Sequence, residues 1–139
     1  MKTQSSIPAQ DFEVNLLRLY WLMRLSMAFI WISTAAVSWF IFPQADSLNW
    51  LRNIGITHQT AAIFGAACLF DLLMGLASAI HPTRLLWQLQ IIAVSAYTLV
   101  IAVALPEFLW HPFGPVTKNL AVLACLFFLV VMERWRNRS

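Results

Sequence analysis

Residues Thr60–Ile80 read TAAIFGAACLFDLLMGLASAI, an apolar run with one acid, Asp71, near its middle. As a helix rising 1.5 Å per residue, a run of this length crosses ~30 Å of hydrocarbon. A charged side chain at the centre of such a helix costs about 2.5–3.5 kcal/mol on the insertion scale, while the Leu, Ile and Phe residues around it return roughly 2.4–4.8 kcal/mol. The two nearly cancel, so the helix keeps its place only where neighbouring helices shield the carboxyl. Its own face provides for that. Ala67, Cys68, Asp71, Gly75 and Ser78 fall on one side at three- and four-residue spacing, and all but the acid are small, which lets helices approach closely.

Three further apolar runs flank this one: about Leu22 to Phe42, Leu85 to Leu105, and the shortest, Val116 to Met132. The fold expected is therefore all-α, an integral membrane four-helix bundle running up-down-up-down. Composition agrees: of 139 residues 60% are hydrophobic and 11% charged, where a soluble domain carries about 25% charged residues. Too little polar surface remains to face water all round, so the lipid bilayer is the expected partner. The first run is too long for a secretory signal and ends in Trp39-Phe40-Ile41-Phe42, not in small residues. The division expected is a 1–21 cytoplasmic segment with a short amphipathic interfacial helix from Asp11 to Trp21, a 22–132 transmembrane domain, and a 133–139 basic cytoplasmic tail.

Orientation follows from the basic residues. Lys2, Arg18, Arg24, Arg84, Arg134, Arg136 and Arg138 lie at one end of the spans, and only Arg52 and Lys118 at the other. The positive-inside rule places both termini in the cytoplasm, in the cell (inner) membrane. The net charge of +3 belongs to span ends near headgroups, and no contiguous basic face exists for nucleic acid. His81-Pro82-Thr83-Arg84 is a tight turn that makes spans two and three antiparallel neighbours. The loop Pro43 to Gln59 has room for a short helix around Ser47 to Asn53. The next, PEFLWHPFGP from Pro106 to Pro115, carries three prolines and a glycine that set the start of the fourth helix.

Asp71 is the leading candidate for chemistry, since acids inside a membrane are expensive and functional by default expectation. It reads either as a proton-accepting or ligand-anchoring carboxyl, or as a hydrogen-bonding residue that glues the bundle. Arg24 opens the first span, and Ala28, Trp31, Ala35 and Ser38 continue its face. Gln88, Ser95, Thr98 and Ala102 share a face of the third span, and Lys118 and Asn119 open the fourth. Arg24 and Lys118 each begin roughly 10–12 Å in depth from Asp71, so pairing requires long side chains reaching inward or a bridging water, and snorkelling to headgroups competes with it. Cys68 and Cys125 form no CxxC and read as small apolar packing residues. His58, His81 and His111 lie in loops or at span ends, without the paired placement haem requires. No metal site, phosphate-cradling loop or dinucleotide fingerprint is present.

The segment Leu105 to Leu120, LPEFLWHPFGPVTKNL, is the most specific stretch of the chain. With its Pro-Phe-Gly-Pro turn followed by Lys118-Asn119, it resembles the DoxX-like family of small four-helix membrane proteins. Arg24-Leu25-Ser26 with Trp31, and Asp71 followed by Gly75, are similar to further parts of that family's pattern. The chain departs from it in having Asp71 in place of a glutamate, and Ala36 and Ser38 in place of a glycine and a lysine. The resemblance implies a membrane subunit supporting redox chemistry, with quinone as the lipid-phase ligand, no intrinsic cofactor, and a partner protein that supplies electrons. In that reading Asp71, Arg24, Lys118 and Asn119 bind a quinone headgroup or relay a proton, and Trp31 stacks on it. Two other classes stay open: a small proton-coupled transporter, and a structural membrane assembly partner.

Overall fold

The computed structural model describes residues 9–106 and 115–137. No glycine or proline interrupts the sequence from Ala9 to Ala36, and these residues form one continuous helix, α1. The stretch expected as an interfacial helix, Asp11 to Trp21, and the start of the first span lie on this one helix, because nothing in the sequence breaks it. At 28 residues α1 is about 42 Å long, more than the hydrocarbon thickness, and the exposed Asp11, Glu13 and Arg18 occupy its early turns. At its other end it widens into a π-helical turn, Val37–Ile41, closed by a 2.8 Å bond from the Phe42 N–H to the Val37 carbonyl.

Helix α2, Gln44–Asn53, is the short loop helix. It ends in a Schellman arrangement, with the Ile56 N–H on the Leu51 carbonyl and the Gly55 N–H on the Arg52 carbonyl, both 3.0 Å. Gly55 sits at φ +96°, in the left-handed region this cap requires. Helices α3, Thr60–Ile80, and α4, Arg84–Ala104, are the second and third spans. The turn between them is fixed by Thr83, whose side chain accepts a 3.1 Å bond from the Leu86 N–H as the N-cap of α4. Helix α5, Pro115–Arg136, is the fourth. The Pro106–Pro115 turn lies outside the described residues except at its ends.

The protein is thus all-α, with four long apolar helices in antiparallel pairs. α1 packs on α3 and α4 on α5, α1 also meets α5, and α2 lies against α3 and the π-helical turn. Each of the four is long and apolar enough to cross a bilayer. The hydrophobic core, built around Tyr20, Met27, Trp31, Trp87, Leu126 and Leu129, fills the half of the bundle nearer the termini.

Candidate functional site

Asp71 lies on the buried face of α3 with Cys68, Gly75 and Ser78, and 8% of it is exposed. The face is the one small-residue spacing predicts. The Tyr97 hydroxyl of α4 donates to Asp71 Oδ1 at 3.5 Å, at the long limit of a hydrogen bond. Tyr97 is itself 40% exposed, so its hydroxyl is loosely held and within reach of the bundle's surface. One residue on, the Thr98 hydroxyl donates to the Val94 carbonyl at 2.7 Å and accepts a 2.7 Å bond from Asn119 Nδ2 of α5. Asn119 is thereby tied to α4 in the helical turn that carries Tyr97. Lys118, in the first helical turns of α5, is exposed.

Arg24 and Trp31 are engaged elsewhere. Arg24 is buried, stacks over the Trp21 ring at 4.4 Å, and donates through Nε to the Ser78 carbonyl at 2.8 Å and through its guanidinium to the Ala79 carbonyl. The cause is in the sequence: the residue that would donate to the Ser78 carbonyl in a continuing helix is Pro82, which has no N–H. Arg24 supplies the missing donor and places its charge at the negative end of the α3 dipole. Trp31 Nε1 donates to Gln90 Oε1 at 2.9 Å, and Gln90 Nε2 donates to Ser78 Oγ at 2.7 Å and to the Met74 carbonyl at 3.4 Å. Ser78 Oγ in turn donates to the Met74 carbonyl at 2.7 Å. This chain joins α1, α4 and α3 through Gln90 and Ser78, both completely buried.

Only part of the α4 face expected to be polar turns inward, at Thr98, which is half-buried against Asn119. Gln88 and Ser95 are exposed, and the buried stripe is Leu86, Trp87, Gln90 and Val94. The large apolar residues Trp87 and Val94 set which side turns inward, and Gln90 lies on their side. A second buried acid was also missed. Glu133, near the end of α5, accepts from the Tyr20 hydroxyl at 2.7 Å and from Trp87 Nε1 at 3.4 Å, and forms a 3.3 Å ion pair with Arg136. Arg136 also donates to the Tyr20 hydroxyl and sits over its ring. The group pins α1, α4 and α5 together at the terminal end. In the sequence Glu133 is masked by the arginines around it and reads as their counter-charge.

Besides the Arg24 cap, three polar groups among the described residues step from the terminal end toward the middle: Glu133 with Tyr20, Trp87 and Arg136; Gln90 with Trp31 and Ser78; and Asp71 with Tyr97 beside the Thr98–Asn119 pair. Among the described residues no buried side-chain nitrogen or oxygen lacks a partner. Both cysteines are free thiols.

The sequence from residue 28 to 127, a stretch reaching from α1 to α5, matches the DoxX-like family. The chain belongs to the DoxX-like family. No curated protein and no solved structure matches it. In this DoxX-like protein the matched stretch contains Trp31, Asp71, Tyr97, Lys118 and Asn119, whereas Arg24 and Glu133 lie outside it. It is a multi-pass membrane protein.

Proposed function

We propose that this DoxX-like protein is a membrane subunit for quinone-linked redox chemistry, with Asp71 and Tyr97 as the headgroup and proton site. The observation that carries the reading is a carboxyl at mid-membrane depth that is shielded by helices yet paired, among the described residues, only with a long-range, half-exposed phenol. A carboxyl kept solely to glue helices would be expected to hold a short bond, as Glu133 does with Tyr20. The donor set suits a quinone: Tyr97 offers an O–H to a carbonyl oxygen, Asn119 keeps one amide N–H beyond its bond to Thr98, and Asp71 can hold or release a proton at the same place. A bound quinone supplies two-electron, two-proton chemistry, for which a partner protein provides the electrons. Arg24 and Trp31 support this site from behind by fixing α3 and α4, and Lys118 faces headgroups at the opposite end. The excess of arginine at the terminal end favours cytoplasmic termini.

The test is binding of menadione, a quinone without a tail, read as quenching of tryptophan fluorescence in the purified protein. Asp71→Asn keeps the volume and removes the titratable carboxyl. It is expected to weaken menadione binding at least tenfold while leaving the melting temperature within a few degrees of wild type. Unchanged quenching in the variant ends the reading. A structural role is favoured by one observation, the pairing of every buried side-chain polar atom among the described residues, and it predicts instead that Asp71→Asn lowers the melting temperature without a selective loss of binding.

A further inference from the structure

Helix α4 carries a second face, turned away from the inward stripe of Leu86, Trp87, Gln90 and Val94. Leu85, Gln88, Ile92, Ser95 and Leu99 are exposed on it, and half-buried Ala102 completes the series. Their spacing alternates strictly between three and four residues, the seam pattern of a left-handed helix pair. Near the terminal end Phe127 and Val130 of α5 join Leu85, Gln88 and Ile92 in lining a furrow of about 540 Å³. The seam there is a recess, shaped to admit side chains of another helix.

Two of these residues are polar, and that decides what covers the face. With Arg84 opening α4, Gln88 lies about 6 Å and Ser95 about 16 Å deep, the latter at mid-bilayer. An amide at the first depth can turn toward the headgroups, but a hydroxyl at the second cannot. Ser26, Thr34, Ser78 and Thr98 each donate to the carbonyl four residues back, which satisfies a hydroxyl within its own helix. Ser95 does not. Among the described residues neither its side chain nor that of Gln88 makes a hydrogen bond. Lipid tails offer Ser95 no partner, so the face calls for protein with a polar group at the same depth. A second copy of this chain has one by construction. All copies insert in the same orientation, so two α4 helices meet in parallel about an axis normal to the membrane, each seam residue facing its own counterpart. Amide and hydroxyl are both donor and acceptor and therefore pair with themselves. The small size of Ser95 and Ala102 lets the two backbones come close.

We propose that this face of α4 is the interface of a parallel homodimer, with Gln88 and Ser95 hydrogen-bonded to the same residues of a second copy across the two-fold axis. Polar seam residues of this kind fix register and the number of chains, because any slip separates the pairs. Tyr97 follows Ser95 by two residues and so lies about 160° away around the helix. Dimerisation therefore leaves the half-exposed phenol beside Asp71 open, and the dimer and the Asp71 site can fail separately.

The test is energy transfer between donor- and acceptor-labelled full-length protein in phosphatidylcholine vesicles, followed as added lipid dilutes the protein. Transfer is expected to fall along a monomer–dimer isotherm. Gln88→Leu changes an exposed side chain for one of similar size. It is expected to weaken the dimer about fivefold, typical of a hydrogen bond between membrane helices, with the melting temperature of the diluted monomer unchanged. Cross-linking checks the register. Oxidation of native membranes with copper phenanthroline is expected to link two copies of Ser95→Cys. Wild type, which retains Cys68 and Cys125, sets the background, and Val100→Cys, exposed on another side of α4, is expected not to exceed it. Absence of transfer at every dilution overturns the proposal. So does a dimer that Gln88→Leu fails to weaken or that Ser95→Cys fails to link. Linkage of Ser95→Cys to a different polypeptide shows that another protein covers this face, and it overturns the homodimer too.

Discussion

Replacing Gly75 by alanine is expected to destabilise the bundle by about 2–3 kcal/mol, a cost typical of overpacking. A Cβ there would lie 2.5 Å from Ile32 Cγ1, 2.9 Å from the Ile32 backbone nitrogen and 3.1 Å from the Ala28 carbonyl oxygen. The isoleucine side chain can rotate away, but the two backbone atoms cannot move unless α1 and α3 separate. That separation would loosen the contact that shields Asp71 and would pull the Arg24 guanidinium from the Ser78 and Ala79 carbonyls. Thermal melting in detergent, followed by near-ultraviolet circular dichroism, measures the effect. Gly65→Ala on the same helix is the control, and is expected to be neutral or to raise stability by up to about 1 kcal/mol. Equal behaviour of the two glycines would contradict the packing described for α1 and α3.

The second large effect is expected at Gln90. Gln90→Leu removes the acceptor of the Trp31 N–H and the donor to Ser78 Oγ and the Met74 carbonyl. Individual bonds between membrane helices contribute roughly 0.6–1.7 kcal/mol, so losing three should cost about 2–4 kcal/mol. The indole N–H suffers most, because Trp31 is buried and its N–H bonds to Gln90 at 2.9 Å. A double-mutant cycle isolates this component. With Trp31→Phe already in place, Gln90→Leu should cost at least about 1 kcal/mol less than it does alone. Additive losses would show that Trp31 and Gln90 contribute independently.

Much of the fold was legible because the membrane imposes simple rules. Span lengths, the small-residue face of α3 and the buried series Arg24, Ala28, Trp31 and Ala35 on α1 follow from helical spacing in apolar runs. Asp71 announced itself through the cost of a carboxylate in hydrocarbon. What periodicity could not settle was which neighbour each polar group meets. Gln88 and Gln90 look alike in sequence, and only the bulk of Trp87 and Val94 decides that Gln90 turns inward. Arg24 has a signal that was readable but indirect: it stands where an antiparallel neighbour ends just before Pro82, which leaves a carbonyl without its donor. Tyr97 and Glu133 had none as clear. A tyrosine near mid-span resembles any large amphipathic side chain, and an acid among arginines resembles surface charge.

The central claim is that a polar headgroup meets this bundle at Asp71 and Tyr97. Photolabelling with a tail-less azidoquinone, followed by mass spectrometry of the labelled peptides, tests it most directly. Adducts are expected on α3 and α4 around Cys68–Leu72 and Ala93–Thr98, suppressed by excess menadione and lost in Asp71→Asn. Labelling concentrated instead along the outer face of α4 and α5, where Leu85, Gln88, Leu89, Ile92, Phe127 and Val130 line a separate furrow, or labelling that menadione does not suppress, would contradict it.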